Sequence, residues 1–205
     1  MINHNPTIIL GSQSPRRLEL LSYLVPAEQI AVMPPLNSDE PGFEGCTDQS
    51  AILGQLTKLA ELKSDDVWNQ LADHRNKTLI TADTIIVAGD EEPVVLGKPD
   101  GKNWQSTVST WFRSLYSGKS HYVYTGVCLR NDSQRSTFYV GTEVRFREVS
   151  DNDLEWYLQT EEPLGKAGGY AIQGAGSLFV RSVEGSLSNV IGLPLAETRQ
   201  ALLEF

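Results

Sequence analysis

Two stretches of this chain hold groups where folding alone would not put them. In Ser12-Gln13-Ser14-Pro15-Arg16-Arg17 an apolar run meets the start of a helix. Ser14 reads as its N-cap and Pro15 as its first residue, so Arg16 and Arg17 fall at the second and third positions. Cations there oppose the positive end of the helix dipole, at about 0.3–1 kcal/mol each. A bound phosphate reverses that sign, because the helix N-terminus and both guanidiniums then converge on one anion. Ser12 and Ser14 would add hydroxyls. The alternative is two solvated arginines, or arginines paired with acids such as Glu19. The second stretch, Thr81-Ala82-Asp83-Thr84, sets an acid inside the apolar run Leu79 to Val87. A buried carboxylate needs a metal, a cation or several donors. The alternative is an edge strand on which Asp83 faces water.

Other groups gain meaning only in company with these. Lys98, in Gly97-Lys98-Pro99, comes near the level of Asp83 if a hairpin closes at residues 90–93, and a lysine there neutralises phosphate or is simply solvated. The segment Lys166 to Gly174 has glycines that let backbone approach a ligand, and Gln173 offers a donor and an acceptor to a base edge. A tight turn is the other use of such glycines. Gly118-Lys119-Ser120 resembles the tail of a phosphate-binding P-loop, but Arg113 stands at the required upstream glycine and a helix precedes it instead of a strand. Gly174-Ala175-Gly176 starts like a dinucleotide fingerprint and fails at Phe179.

The elements that must position these groups follow from periodicity. Residues 7–10 form a strand, and Leu18, Leu21, Leu24 and Val25 give the next helix its apolar face. A Pro/Gly/acid-rich loop over 33–50 precedes a helix carrying Ile52, Leu56, Leu59 and Ala60. Thr78 to Ala88 is a strand turning into Val94–Leu96, and a helix spans Trp104 to Leu115. Tyr122–Leu129 and Thr137–Arg147 make a hairpin across Asn131-Asp132-Ser133. Ser150 caps a short helix, Leu178–Val180 is a strand, and Pro194 opens the last helix. Helices alternating with hairpins predict an α/β protein with a mixed sheet. At 205 residues and 40% hydrophobic content, one domain over 1–205 suffices.

The net charge of −9 argues against a nucleic-acid polymer or an anionic membrane as partner. No apolar run approaches membrane-spanning length, and the N-terminus lacks signal-peptide character. Cys46 and Cys128 are far apart, outside any C-x-x-C pattern, which suits a reduced, cytoplasmic protein. His4, His74 and His121 are scattered, against a His/Cys zinc site.

The ordered set of motifs resembles the Maf (septum-formation-inhibitor) family of nucleoside triphosphate pyrophosphatases. It runs from Ser12 through Leu21, then Ala82-Asp83-Thr84 and Gly97-Lys98-Pro99. Ser117 to His121 with Thr125-Gly126 follows, then Lys166 to Tyr170 with Ile172-Gln173-Gly174, Gly185-Ser186 and Gly192 to Leu195. The resemblance implies an inosine-triphosphatase-like (Maf/Ham1) fold with two lobes around a cleft, and a homodimer. It implies hydrolysis between the α- and β-phosphates with Mg²⁺ or Mn²⁺. Asp83 would be the catalytic acid–base and a metal ligand with Glu40, and Arg16, Thr84 and Gln173 would set substrate choice. That combination resembles the dTTP/UTP subgroup. Ser12, Arg17, Lys63 and Lys98 would contact the triphosphate, with Lys58 a rival to Lys63 and Gly11 standing where the family usually has alanine. The rival functions are a non-catalytic nucleotide-binding regulator of cell division and a phosphomonoesterase or phosphotransferase releasing orthophosphate.

Overall fold

The computed structural model describes residues 8–37, 41–89, 92–99 and 101–205. Its spine is the eleven-residue strand β3 (Thr78–Ala88). β1 (Ile8–Gly11) runs parallel to the first part of β3, from Ile8 opposite Thr78 to Gly11 opposite Thr81. β4 (Val94–Leu96) folds back antiparallel on Ile86 to Ala88. β5 (Ser120–Arg130) covers the other edge from Leu79 to Val87. A strand has only two edges, so β1 and β4 share one, and residues 82–85 have no strand beside them there among the described residues. Asp83 and Thr84 lie in that gap.

β2 (Ile30–Val32) pairs parallel outside β1, while β6 (Arg135–Phe146) and β7 (Val180–Glu184) extend the antiparallel side beyond β5. The result is a mixed sheet in the order β2-β1-β3-β5-β6-β7, as the alternation of helices and hairpins predicts. β2 escapes periodicity because it is three residues long and none of them is buried. The β5–β6 turn is closed by Asn131, whose Oδ1 accepts from the backbone N–H groups of Ser133 and Gln134, both at 2.9 Å.

Side chains alternate across β3, and its two faces pack differently. Helix α2 (Gln49–Gln70) lies on the face of the odd-numbered residues; Asp48 caps it by accepting the Ala51 N–H at 2.9 Å. Here Leu79 joins Ile9, Val67 and Trp68, while Ile85 and Val87 join Ile52, Leu56 and Tyr124. On the opposite face Ile80 and Ala82 pack with α1 (Pro15–Ser22) and α6 (Leu195–Leu203) through Leu20, Leu21 and Ala201. Ile86 and Ala88 pack there with α3 (Trp104–Trp111) and α4 (Asp151–Gln159) through Val108, Leu154 and Tyr157. Both faces therefore change clusters at the same level. The polar residues Thr81, Asp83 and Thr84 occupy the seam between them.

Three local differences from the sequence reading have simple causes. α1 stops at Ser22 and buries Leu20 and Leu21, leaving Leu18 36% exposed. Leu24 and Val25 reach the same core from a turn closed on the Leu21 carbonyl. The last strand starts at Val180 because Ala175–Phe179 winds into a tight helical turn that sinks Phe179 among Phe112, Phe146 and Tyr157. α3 continues as a wider π-type turn over Phe112–Tyr116, closed by the Ser117 N–H on the Phe112 carbonyl at 2.9 Å.

His121 sits in the aromatic core at 1% exposure, its Nε2 2.7 Å from the Tyr170 hydroxyl. Burial pushes its pKa down to about 3, whereas an unfolded histidine titrates near 6.5. Between those values the unfolded chain binds a proton that the fold refuses, so stability falls as pH falls from about 6.5. The slope approaches about 1.4 kcal/mol per pH unit. His121→Gln keeps a polar partner for Tyr170 but does not titrate. Urea midpoints followed from pH 6.5 to 5 should decline in the parent and flatten in the variant; parallel curves would refute this linkage.

Candidate active site

The gap in β3 opens into a cavity of about 770 Å³. Its floor is Ala82, Asp83 and Thr84, and one end is the turn from Gly11 into α1. The crevice lies beyond the carboxyl end of β1, where β3 exchanges a parallel neighbour for an antiparallel one. Open sheets leave room for ligands at such switch points. Gly11 makes the entry possible. A Cβ built there would meet Thr81 Cγ2 at 2.5 Å, and Thr81 is held by the hydrogen bond from its Oγ1 to the Ala60 carbonyl at 2.7 Å.

Asp83 points to the α2 face, where Lys63 Nζ approaches its Oδ1 to 2.5 Å. The two side chains are 18% and 12% exposed. Oδ2 is the oxygen left for a water or an ion. Lys58 is exposed on α2 and does not line the cavity, so Lys63 is the helix lysine at the site. The alternative in which Asp83 simply faces water does not hold: β3 is open on one edge at residues 82–85, but the Asp83 side chain is only 18% exposed and is turned onto Lys63.

Thr84 points to the other face, where Arg17 meets it. Arg17 donates from Nη2 to Thr84 Oγ1 at 2.9 Å, from Nε to the Gly192 carbonyl at 2.9 Å and from Nη1 to Ser12 Oγ at 3.3 Å. Ser12 Oγ also accepts the Ser14 N–H at 3.2 Å, so its own proton remains to donate. Thr84 lies 3.0 Å from Thr125 Oγ1, which donates to the Asn189 carbonyl at 3.2 Å. Thr125 has one proton, so Thr84 gives its own to Thr125 and accepts from Arg17. Asn189, in α5 (Leu187–Ile191), is fully buried and donates to Val123 O and Thr142 Oγ1, both at 3.0 Å. Arg17 is thus fixed by the scaffold, whereas Arg16, one residue earlier, is exposed on the cavity wall.

Lys98 and Gln173, both exposed, line the remaining walls with Lys166. Sequence reasoning quoted Lys166 only as part of a glycine-rich loop; a cation beside that loop was the available signal. It also missed the wall at residues 34–37. There Asp66 accepts the Asn37 N–H at 2.7 Å and the Leu36 N–H at 3.3 Å, and the Asn37 bond holds its carboxyl below the usual range. Lys63, Asp66 and Gln70 share one side of α2, a spacing that would have pointed to this clasp. Glu40 lies outside the described residues.

Asp83 is the one carboxylate among the described residues lining the cavity, against Arg16, Arg17, Lys63, Lys98 and Lys166. A chain of net charge −9 therefore presents a cationic pocket, as an anionic ligand requires. Among the described residues no three His, Cys, Asp or Glu side chains gather as metal ligands. Among the described residues a divalent ion would find one carboxylate, Asp83, and take the rest of its shell from phosphates and water. Mg²⁺ coordinates in this manner, so the donor set fits a metal brought in with the substrate.

The fold is that of an α/β protein, and a cationic cavity at a change of strand partners suits a phosphorylated small molecule. The chain belongs to the Maf-like protein family, whose profile matches residues 7–205. A dTTP/UTP pyrophosphatase from Anaeromyxobacter dehalogenans strain 2CP-C is 40% identical over 202 residues, covering 96% of this chain and 93% of that one. One from Bacillus pumilus is 36% identical over 208 residues, covering 97% and 96%. A solved HAM1 protein from Coxiella burnetii superposes with a TM-score of 0.48 at 13% identity, over 97% of this chain and 98% of that one.

The two arginines should separate by stability. Arg17→Lys loses the fork that reaches three acceptors and should cost about 1–3 kcal/mol, or several degrees of melting temperature. Arg16→Ala should melt within about 1 °C of the parent, as an exposed substitution does. Equal shifts by calorimetry without ligand would contradict the scaffold role of Arg17.

Proposed function

We propose that this chain hydrolyses nucleoside triphosphates, dTTP and UTP foremost, between the α- and β-phosphates, releasing a nucleoside monophosphate and pyrophosphate. Asp83 carries the reading: among the described lining residues it is the one carboxylate, paired to Lys63 in an otherwise cationic cavity. The chain is also 36–40% identical to relatives named dTTP/UTP pyrophosphatase.

In this mechanism the triphosphate lies along the cavity with Arg16, the start of α1 and Ser12 on its phosphates. Arg17 frames that end and presents its positive charge from a fixed position. Lys63 holds Asp83 by Oδ1, and Oδ2 accepts a proton from a water placed at the α-phosphorus. The water oxygen bonds phosphorus as the bridging bond to the β-phosphate breaks, and the electron pair leaves on pyrophosphate. Lys63 and Lys98 neutralise the charge that develops there. Mg²⁺ or Mn²⁺, with Glu40 and, through a coordinated water, Asp83 as its proposed ligands, would neutralise the phosphates and lower the pKa of that water. Gln173 reads the base edge through its amide. Thr84, with its proton given to Thr125, contributes by orienting Arg17 and through one remaining lone pair. Residues 1–205 act as a single domain in a homodimer; the continuous sheet and the family match over 7–205 support the first, and sedimentation equilibrium checks the second.

UTP incubated with the protein and Mg²⁺ should yield UMP and pyrophosphate. Asp83→Asn should lower kcat about 100-fold or more, the range of a lost general base, while still binding UTP. Release of orthophosphate would indicate a phosphomonoesterase, and binding without turnover a non-catalytic regulator. Wild-type rates in Asp83→Asn would remove Asp83 from the mechanism.

A further inference from the structure

We propose that Glu162 is a positioning residue for Gln173: its carboxylate clamps the backbone just beyond that glutamine and so sets how the amide meets the nucleobase. The inference rests on the base-reading role proposed above for Gln173.

Glu162 is not part of the cavity wall. Its Oε2 accepts the Ala175 N–H at 2.6 Å and its Oε1 the Gly176 N–H at 2.9 Å, two successive backbone donors starting two residues after Gln173. Bonds from N–H to an ionised acceptor are about twice as strong as neutral ones. The contact is close enough to dictate its neighbour, since a Cβ added to Gly174 would lie 2.0 Å from Oε2. The fully buried Tyr157 hydroxyl stands 3.0 Å from Oε1 and 3.1 Å from the Gly169 carbonyl. Its one proton therefore serves both the clamp and the loop. Lys166 Nζ donates to the Glu162 carbonyl at 2.7 Å, and the Gly168 N–H donates to the Gly97 carbonyl at 2.9 Å, beside Lys98.

The segment from Glu162 to Gly176 is thus sewn to one residue at both ends, with the exposed Gln173 between. An exposed amide on a free loop would lose affinity in ordering itself; on a clamped loop most of that cost is already met. The Glu162 carboxylate bonds to Tyr157 and to the Ala175 and Gly176 N–H groups, which lie on the far side of Gln173 from Asp83 in sequence. Its loss should act on base binding and leave the chemical step alone.

The test compares UTP with GTP in steady-state assays of pyrophosphate release. Glu162→Gln retains one acceptor but turns an amide donor toward the other N–H. It should raise KM for UTP about tenfold with kcat within twofold, and lower the UTP-over-GTP ratio of kcat/KM by a similar factor. Gly174→Ala attacks the same contact from the opposite side and should reproduce the split. Gln173→Ala should lower the ratio at least as far. A fall in kcat for both nucleotides with KM and ratio unchanged, in either clamp variant, would overturn the inference and leave base reading by Gln173 standing. An unchanged ratio in Gln173→Ala would overturn both.

Discussion

Strand β3 changes partners at its midpoint, and the rest of the site depends on that change. β1 ends opposite Thr81 and β4 pairs only from Ile86 onward, so four residues of β3 have a strand neighbour on one edge only among the described residues. The apolar clusters on the two faces also divide there. A seam of this kind is weak in hydrophobic terms. The polar contacts that fill it join the parts of the molecule on either side. Because side chains alternate along a strand, adjacent residues serve opposite faces: Asp83 meets α2 through Lys63, and Thr84 meets α1 through Arg17.

Pairing a buried acid with a buried ammonium seldom raises stability over an apolar pair, since desolvation offsets the attraction. The Lys63–Asp83 contact is therefore no strong fold determinant, and it suits the catalytic role proposed for Asp83. The chain Arg17–Thr84–Thr125–Asn189 carries the structural load on the other face. It is composed of neutral hydroxyls and backbone carbonyls apart from one guanidinium, and each hydroxyl proton has a defined acceptor. Such a chain fixes orientation without stacking like charges. Cations facing the cavity then have a rigid frame, and an anion entering it relieves their mutual repulsion.

How much of this was legible in the sequence varies with the range of the interaction. The N-terminus of α1 was readable because capping is local: Ser14 accepts the Arg17 N–H at 3.4 Å, three residues away, as its position predicts. Asp83 was readable as an anomaly in an apolar run. Whether it faced water or a partner was not, since that depends on how α2 packs across the sheet and brings Lys63, twenty residues earlier, onto it. Lys58 and Lys63 sit about 140° apart on an ideal helix, and the buried Leu59 and Ala60 place Lys63 nearer the sheet. That phase was available. The role of Arg17 was not, because its acceptor Gly192 is 175 residues distant and no pattern links them. Asn189 gave no signal at all, as a lone polar residue in a short helix.

The position of the α-phosphate decides the proposed mechanism. A crystal structure with Mg²⁺ and the α,β-imido analogue of UTP tests that most directly. The α-phosphorus should lie over residues 82–85, within one water of the Asp83 carboxylate, with the phosphate tail toward Arg16 and the start of α1 and the base toward Gln173. A triphosphate bound elsewhere, or one whose γ-phosphate occupies the place beside Asp83, would contradict it.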